Sequence, residues 1–95
     1  MSLCIWPPKD PTENKDYDLD FTLMLLNGDA ILTSVWSITN GDANLAMGSN
    51  SFSSPFTKLW LSAGTLGMTY TLRNIVTTVQ SEIYTQSVTL QVKAK

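Results

Sequence analysis

Hydrophobic and polar residues alternate with a period of two along most of the chain, and that alternation predicts the elements. Tyr17, Leu19, Phe21, Leu23 and Leu25 oppose Asp18, Asp20, Thr22 and Met24, the pattern of a half-buried strand over 17–25. Asn27-Gly28-Asp29 then supplies residues that tolerate positive φ in a hairpin turn. Ala30–Ile38 predicts a second strand, with Leu32, Ser34, Trp36 and Ile38 on one face and Ile31, Thr33, Val35 and Ser37 on the other. After a turn at Asn40-Gly41-Asp42, residues 43–55 have no period and read as irregular, anchored by Leu45, Met47 and Phe52. Phe56–Ser62 is a strand centred on Trp60, Ala63–Gly67 a glycine-bounded turn and Met68–Val79 a long Thr-rich strand. Gln80–Glu82 turns the chain into a last strand, Ile83–Val92. With strands recurring about every 10–15 residues and no helical period, the expected fold is an all-β sandwich of about six or seven antiparallel strands.

The first sixteen residues differ. They hold three of the four prolines, and proline cannot donate to a strand ladder. Residues 1–16 are therefore expected to be an arm with at most a short edge strand around Leu3–Trp6, and residues 17–95 a single β-sandwich domain. The length of 95 residues allows one domain. A body of this size hides only roughly 60–65% of the surface of its unfolded chain. Thr and Ser together supply 22 residues, interleaved with Val, Ile, Leu and aromatics, a mixture that suits pleated strands.

Composition excludes much chemistry. There is no His and one Cys, so histidine bases, Ser-His-Asp triads, an internal disulfide and Cys-rich zinc sites are ruled out. Cys4, near a terminus, reads as incidental. At 15% charged residues and net −2, no basic patch for nucleic acid is expected. No run of about 18 apolar residues predicts a membrane span. The opening Met1–Pro8 lacks the basic and apolar regions of a signal peptide, so the protein is expected to stay in the cytoplasm where it is made.

Charge is uneven. Residues 1–47 carry seven acids and two bases, net −5, and residues 48–95 carry one acid and four bases, net +3. Such a split suits identical subunits meeting head to tail, or simply a solvated face. Asp16, Asp18 and Asp20 open like a calcium loop, but the sixth and twelfth positions hold Phe21 and Asn27 where Gly and Glu are needed. In a strand the same three acids share one outward face, which discourages edge association. No carboxyl sits in an apolar context suited to glycoside hydrolysis. Gly64-Thr65-Leu66-Gly67 joins two strands and so is wrongly placed for a phosphate loop. Lys58 and Arg73 read as solvent-facing strand positions. No metal or other cofactor is expected.

One local pattern is informative. In Leu66-Gly67-Met68-Thr69-Tyr70-Thr71-Leu72 a glycine turn precedes a tyrosine at the head of a long strand, like the tyrosine corner of immunoglobulin-like sandwiches. Tyr70 should then bond back to the backbone near the preceding turn. Trp36 and Trp60 read as the large inward residues of facing strands, packing the sheets together without a disulfide.

The chain resembles a family of small phage-encoded virion proteins described as phage fibre–tail adaptor proteins. The resemblance rests on Lys9-Asp10-Pro11, then Asp16-Tyr17, Asp20 and Phe21, on Asp29, Ile31, Ser34 and Trp36, and on the stretch Trp60 to Leu72. It runs from about Trp6 to Lys93. Ala63 stands where Gly is common, and Thr77–Ser81 lacks the Gly-Arg often seen in the final hairpin. The resemblance implies an immunoglobulin-like or fibronectin-III-like sandwich with a structural role in the virion, made and assembled in the host cytoplasm. It implies no enzymatic activity, and partners that are other phage tail or fibre proteins, with a further copy of the chain as another candidate.

Trp6, Lys9 and Asp10 of the arm are the candidate partner-binding residues, since a proline-rich segment is already extended and Trp supplies large contact area. The alternative is an arm folded back on its own domain. The competing reading of the whole is a sandwich that binds carbohydrate or a cell-surface partner through exposed aromatics; an enzyme is opposed by the missing His. The corner yields a direct test: Tyr70→Phe should lower stability by about 1 kcal/mol or more through the lost hydrogen bond. An unchanged thermal melt would remove the corner.

Overall fold

The structure is a computed structural model that describes residues 4–25 and 28–94. Leu3 of the expected edge strand and Asn27 of the first turn lie outside the described residues. Seven strands run in the order β1 (Cys4–Ile5), β2 (Lys15–Asp20), β3 (Ile31–Asn40), β4 (Leu45–Ser53), β5 (Phe56–Ala63), β6 (Thr69–Thr78) and β7 (Ile83–Gln91), and the described residues contain no helix. They form two sheets, ordered β1-β7-β6-β3 and β2-β5-β4. The six longer strands pair antiparallel. The two-residue β1 differs from the antiparallel expectation by running parallel to β7.

Alternation decides which side chains meet between the sheets. Tyr17 and Leu19 of β2, Leu45 of β4 and Leu59 and Leu61 of β5 face Ile31 and Trp36 of β3, Tyr70, Leu72 and Val76 of β6 and Val88 and Leu90 of β7 in one core. β6 is the clearest case: every second residue from Tyr70 to Thr78 is buried. The polar member of that row, Asn74, is fully buried and satisfied. It accepts from the Thr57 hydroxyl at 2.7 Å and donates to Ser34 Oγ at 2.9 Å and the Val35 carbonyl at 3.0 Å. It thereby links β5 of one sheet to β3 and β6 of the other, and a satisfied buried amide of this kind penalises any other register.

Four further expectations are corrected. The strand predicted over 17–25 stops at Asp20, because Asp20 Oδ1 accepts from the Thr22 N–H and the Phe21 carbonyl accepts from the N–H groups of Met24 and Leu25. Those bonds curl the chain, and Leu23 is left wholly exposed. The stretch 43–55, expected to be irregular, contains β4. In β4 only Leu45 is buried, so this edge strand has no buried face to impose a period. In β3 a register shift between Ile31 and Thr33 buries Ile31 and exposes Leu32, the reverse of the predicted faces at that end. Trp60, predicted inward, points outward at 38% exposure, because the inward parity of β5 belongs to Thr57, Leu59 and Leu61.

The N-terminal segment closes one open side of the core. The Trp6 N–H donates to the Thr89 carbonyl of β7, and its indole Nε1 donates to the Asp18 carbonyl of β2 at 3.2 Å. One residue thus bonds to both sheets. Its ring stacks on Tyr17 at 4.7 Å and 19° and lies tilted against Trp36 at 5.7 Å. Trp6→Ala should cost about 3–5 kcal/mol, seen as a lower urea midpoint with an unchanged slope. An unaltered midpoint would show that the wedge contributes nothing to folding.

Candidate functional site

Three parts of the molecule gather polar or aromatic side chains. The first is the loop pole formed by residues 41–44, after β3, and 64–68, after β5. Tyr70 rises from the head of β6 into this pole, fully buried. Its hydroxyl accepts from the Thr65 N–H at 2.9 Å and donates to Asp42 Oδ1 at 2.6 Å. Asp42 also accepts from the Thr65 hydroxyl at 2.6 Å and the Asn44 N–H at 3.0 Å. The Thr65 and Tyr70 hydroxyls, with the Asn44 N–H, hold the Asp42 carboxyl below its ordinary range. Gly41 makes room for this: at its φ of +121° an added Cβ would stand 2.4 Å from Tyr70 Cδ1. The bond from the Thr65 backbone is the one expected of a tyrosine corner; the Asp42 hub was not foreseen.

The second part is the N-terminal segment. Trp6 is 7% exposed and Lys9 fully buried within the chain's own fold. The Lys9 ammonium donates to the Ala63 carbonyl at 2.7 Å and the Asp10 carbonyl at 2.9 Å. Ala63 has φ +59°, a left-handed conformation that explains why glycine would suit this position. The Lys9 N–H donates to Gln91 and the Lys9 carbonyl accepts from the Lys93 N–H. Asp10 starts a turn, accepting from the Thr12 N–H and hydroxyl through Oδ1, while its own N–H donates to Glu13 Oε1. The Tyr17 hydroxyl donates to the Pro7 carbonyl at 3.2 Å, and burial, with the nearby Glu13 charge, raises its pKa. The structure therefore places Trp6 and Lys9 against the chain's own β7, with Asp10 in the turn that follows.

The third part comprises the surfaces that remain. Outward from the three-stranded sheet, Asp16, Asp18 and Asp20 stand in register with Trp60, Lys58 and Phe56. Lys58 and Asp16 pair at 3.3 Å. On the side opposite Trp6, β3 and β4 leave a groove of about 320 Å³ lined by Val35, Trp36, Met47 and Leu59. Trp36 is largely buried, and its Nε1 has no hydrogen-bond partner among the described residues. Among the described residues no group of three or more Cys, Asp or Glu is placed to hold a metal ion, and no helix is long and apolar enough to cross a membrane.

The outward Trp60 was missed by sequence reasoning, although a signal existed. Lys58 was read as solvent-facing, and residues 58 and 60 of one strand share a face.

The class defined by these features is an all-β protein of two facing sheets with a tyrosine-anchored loop pole. The chain belongs to the family described as Podophage GP4 fiber-tail adaptor protein gp77, which it matches over residues 9–91. No curated protein matches the chain. The family match opens at Lys9 and closes at Gln91, two residues joined by a backbone hydrogen bond.

Asp42 carries a pH test. A carboxyl held low in the fold stabilises above its unfolded value, about 3.9, and that stabilisation is lost as pH falls through the folded value. Asp42→Asn should therefore be less stable than the parent at pH 7, with the gap closing below about pH 4. Parallel urea melts at both pH values check this; a gap constant with pH would show that the carboxylate charge does not matter.

Proposed function

We propose that the chain is a non-enzymatic structural protein of a phage or prophage particle, an adaptor that joins tail and fibre through protein–protein contacts. The observation that carries this reading is the family match across residues 9–91. The virion is its working location, reached by assembly in the host cytoplasm, and other tail or fibre proteins are its partners.

The fold supports the reading at a finer level. The order β2-β5-β4 facing β7-β6-β3 corresponds to the B-E-D and G-F-C order of immunoglobulin constant-type sandwiches, with the first strand moved to the β7 edge. The Tyr70 corner sits on the strand where that fold carries it. We therefore read the architecture as immunoglobulin-like. A body of this kind offers two broad sheet faces and two loop poles, which is what a bridge between two proteins needs. Because Trp6 and Lys9 are engaged within the fold, docking through them would require the segment to detach; the exposed sheet faces need no such rearrangement.

A second reading, a carbohydrate-binding sandwich, is favoured by one observation: Phe56 and Trp60 are exposed on one face of β5. Lys58 stands between them on that face, which interrupts a continuous aromatic platform.

Particles assembled without the chain provide the test. Fibres should co-sediment with such particles only after the purified chain is added. Equal fibre retention without it would sink the adaptor reading. Binding of the purified chain to glycans, abolished by Trp60→Ala, would favour the second.

A further inference from the structure

The two broad outer faces of the body differ in charge and in chemistry. On the three-stranded sheet the outward row of β2 is Asp16, Asp18 and Asp20, beside Trp60, Lys58 and Phe56 of β5. Lys58 compensates Asp16. Asp18 has no ion pair among the described residues, and the Asp20 carboxylate is bonded by Thr22. Trp60 and Phe56 add exposed aromatic surface.

The four-stranded sheet presents the opposite. The outward positions of β3, β6 and β7 are Thr, Ser, Val, Leu, Ile and Gln, with Leu32 56% exposed, and Arg73 is the one charged side chain there. Arg73 lies in register between Ser37 of β3 and Ser87 of β7. It is exposed and has no ion pair among the described residues. Val35, 58% exposed, and Ile75 sit one pair further along on the same face. One face therefore offers carboxylates with aromatics, and the other a lone guanidinium with aliphatic and hydroxyl side chains.

We propose that a second copy of the chain stacks its Arg73 face on the Asp16–Asp18–Asp20 face of the first. The guanidinium would meet the carboxylates and lie near Trp60, where it gains from both an ion pair and the ring face. Val35 and Ile75 would meet the aromatics. Opposite potentials steer such an encounter and reject the like-faced alternatives, since two acidic faces repel. The body measures 42 × 23 × 20 Å, so a broad face spans at most on the order of 900 Å², and a standard interface of roughly 800 Å² per partner would occupy nearly all of it. Because the two faces differ, the contact is heterologous, and every pair keeps one unused face of each kind. Association then continues into a ring or an open stack.

Light scattering on the full chain tests this. At low salt the mean mass should rise with concentration, and it should fall again when salt shortens the reach of the charges. Arg73→Ser, and separately the double variant Asp16→Asn with Asp18→Asn, should each raise the dissociation constant at least tenfold. All three positions are on the surface, and circular dichroism melts establish that the variants fold. An equimolar mixture of the two variants retains one good contact, the intact Arg73 face of one on the intact acidic face of the other. The mixture should therefore stop at twice the monomer mass. A parent chain that stays monomeric at every concentration would overturn head-to-tail stacking and leave the adaptor reading untouched. So would a mixture that forms no pair, or one that grows beyond a pair.

Discussion

The insertion of Trp6 between the two sheets governs much of the rest. A sandwich of seven strands in two sheets exposes its core along two sides, and one chain segment can seal only one of them. Here a single indole donates to β2, stacks on Tyr17 and leans on Trp36, while its backbone bonds to β7. That placement draws the following residues along β7 and delivers Lys9 into the interior, where its ammonium holds the carbonyl of the strained Ala63. It also determines which side stays open. The unsealed side lies between β3 and β4, where Met47 remains partly exposed beside the groove.

With no disulfide available, the sheets are aligned by two polar ties, one inside the apolar core and one at its edge. Asn74 links the sheets in the middle, and Tyr70 with Asp42 pins two loops at one pole. Burying such groups is costly unless each is satisfied, and the hydrogen bonds to Asn74 and Tyr70 meet that condition. They favour one register over its neighbours, which matters in a body whose strands are rich in Thr and Ser and have few large side chains to discriminate one alignment from another.

The legible parts of the fold were those where one strand face is buried and the other wet. β6 and β7 follow the expected alternation, and β2 keeps its acids outward. β4 left no pattern because an edge strand with one buried residue has nothing to alternate against. The turn after Asp20 was hidden because Leu23 and Leu25 continue the apolar parity, yet local hydrogen bonds to Asp20 and Phe21 override it. Trp60 was misassigned by size: a large aromatic invites an inward placement, while parity with Lys58 required the opposite. Trp6 lay outside any period, so only long-range contacts could locate it. The corner at Tyr70 was legible because its partners are close in sequence; Asp42, 28 residues away, was not.

The parallel pairing of β1 with β7 has a mechanical meaning. β1 and β7 run the same way, so Cys4 lies at the start of one strand and Val92 just past the end of its neighbour. Tension applied between those two points tries to slide one strand past the other. The bonds from Trp6 to Thr89, from Lys9 to Gln91 and from Lys93 to Lys9 lie across that pull and take up the load together. An antiparallel pair pulled from one end would break them one after another. Pulled this way, the N-terminal segment and β7 load those bonds side by side, and the buried Trp6 ring must leave its place before the segment can slide.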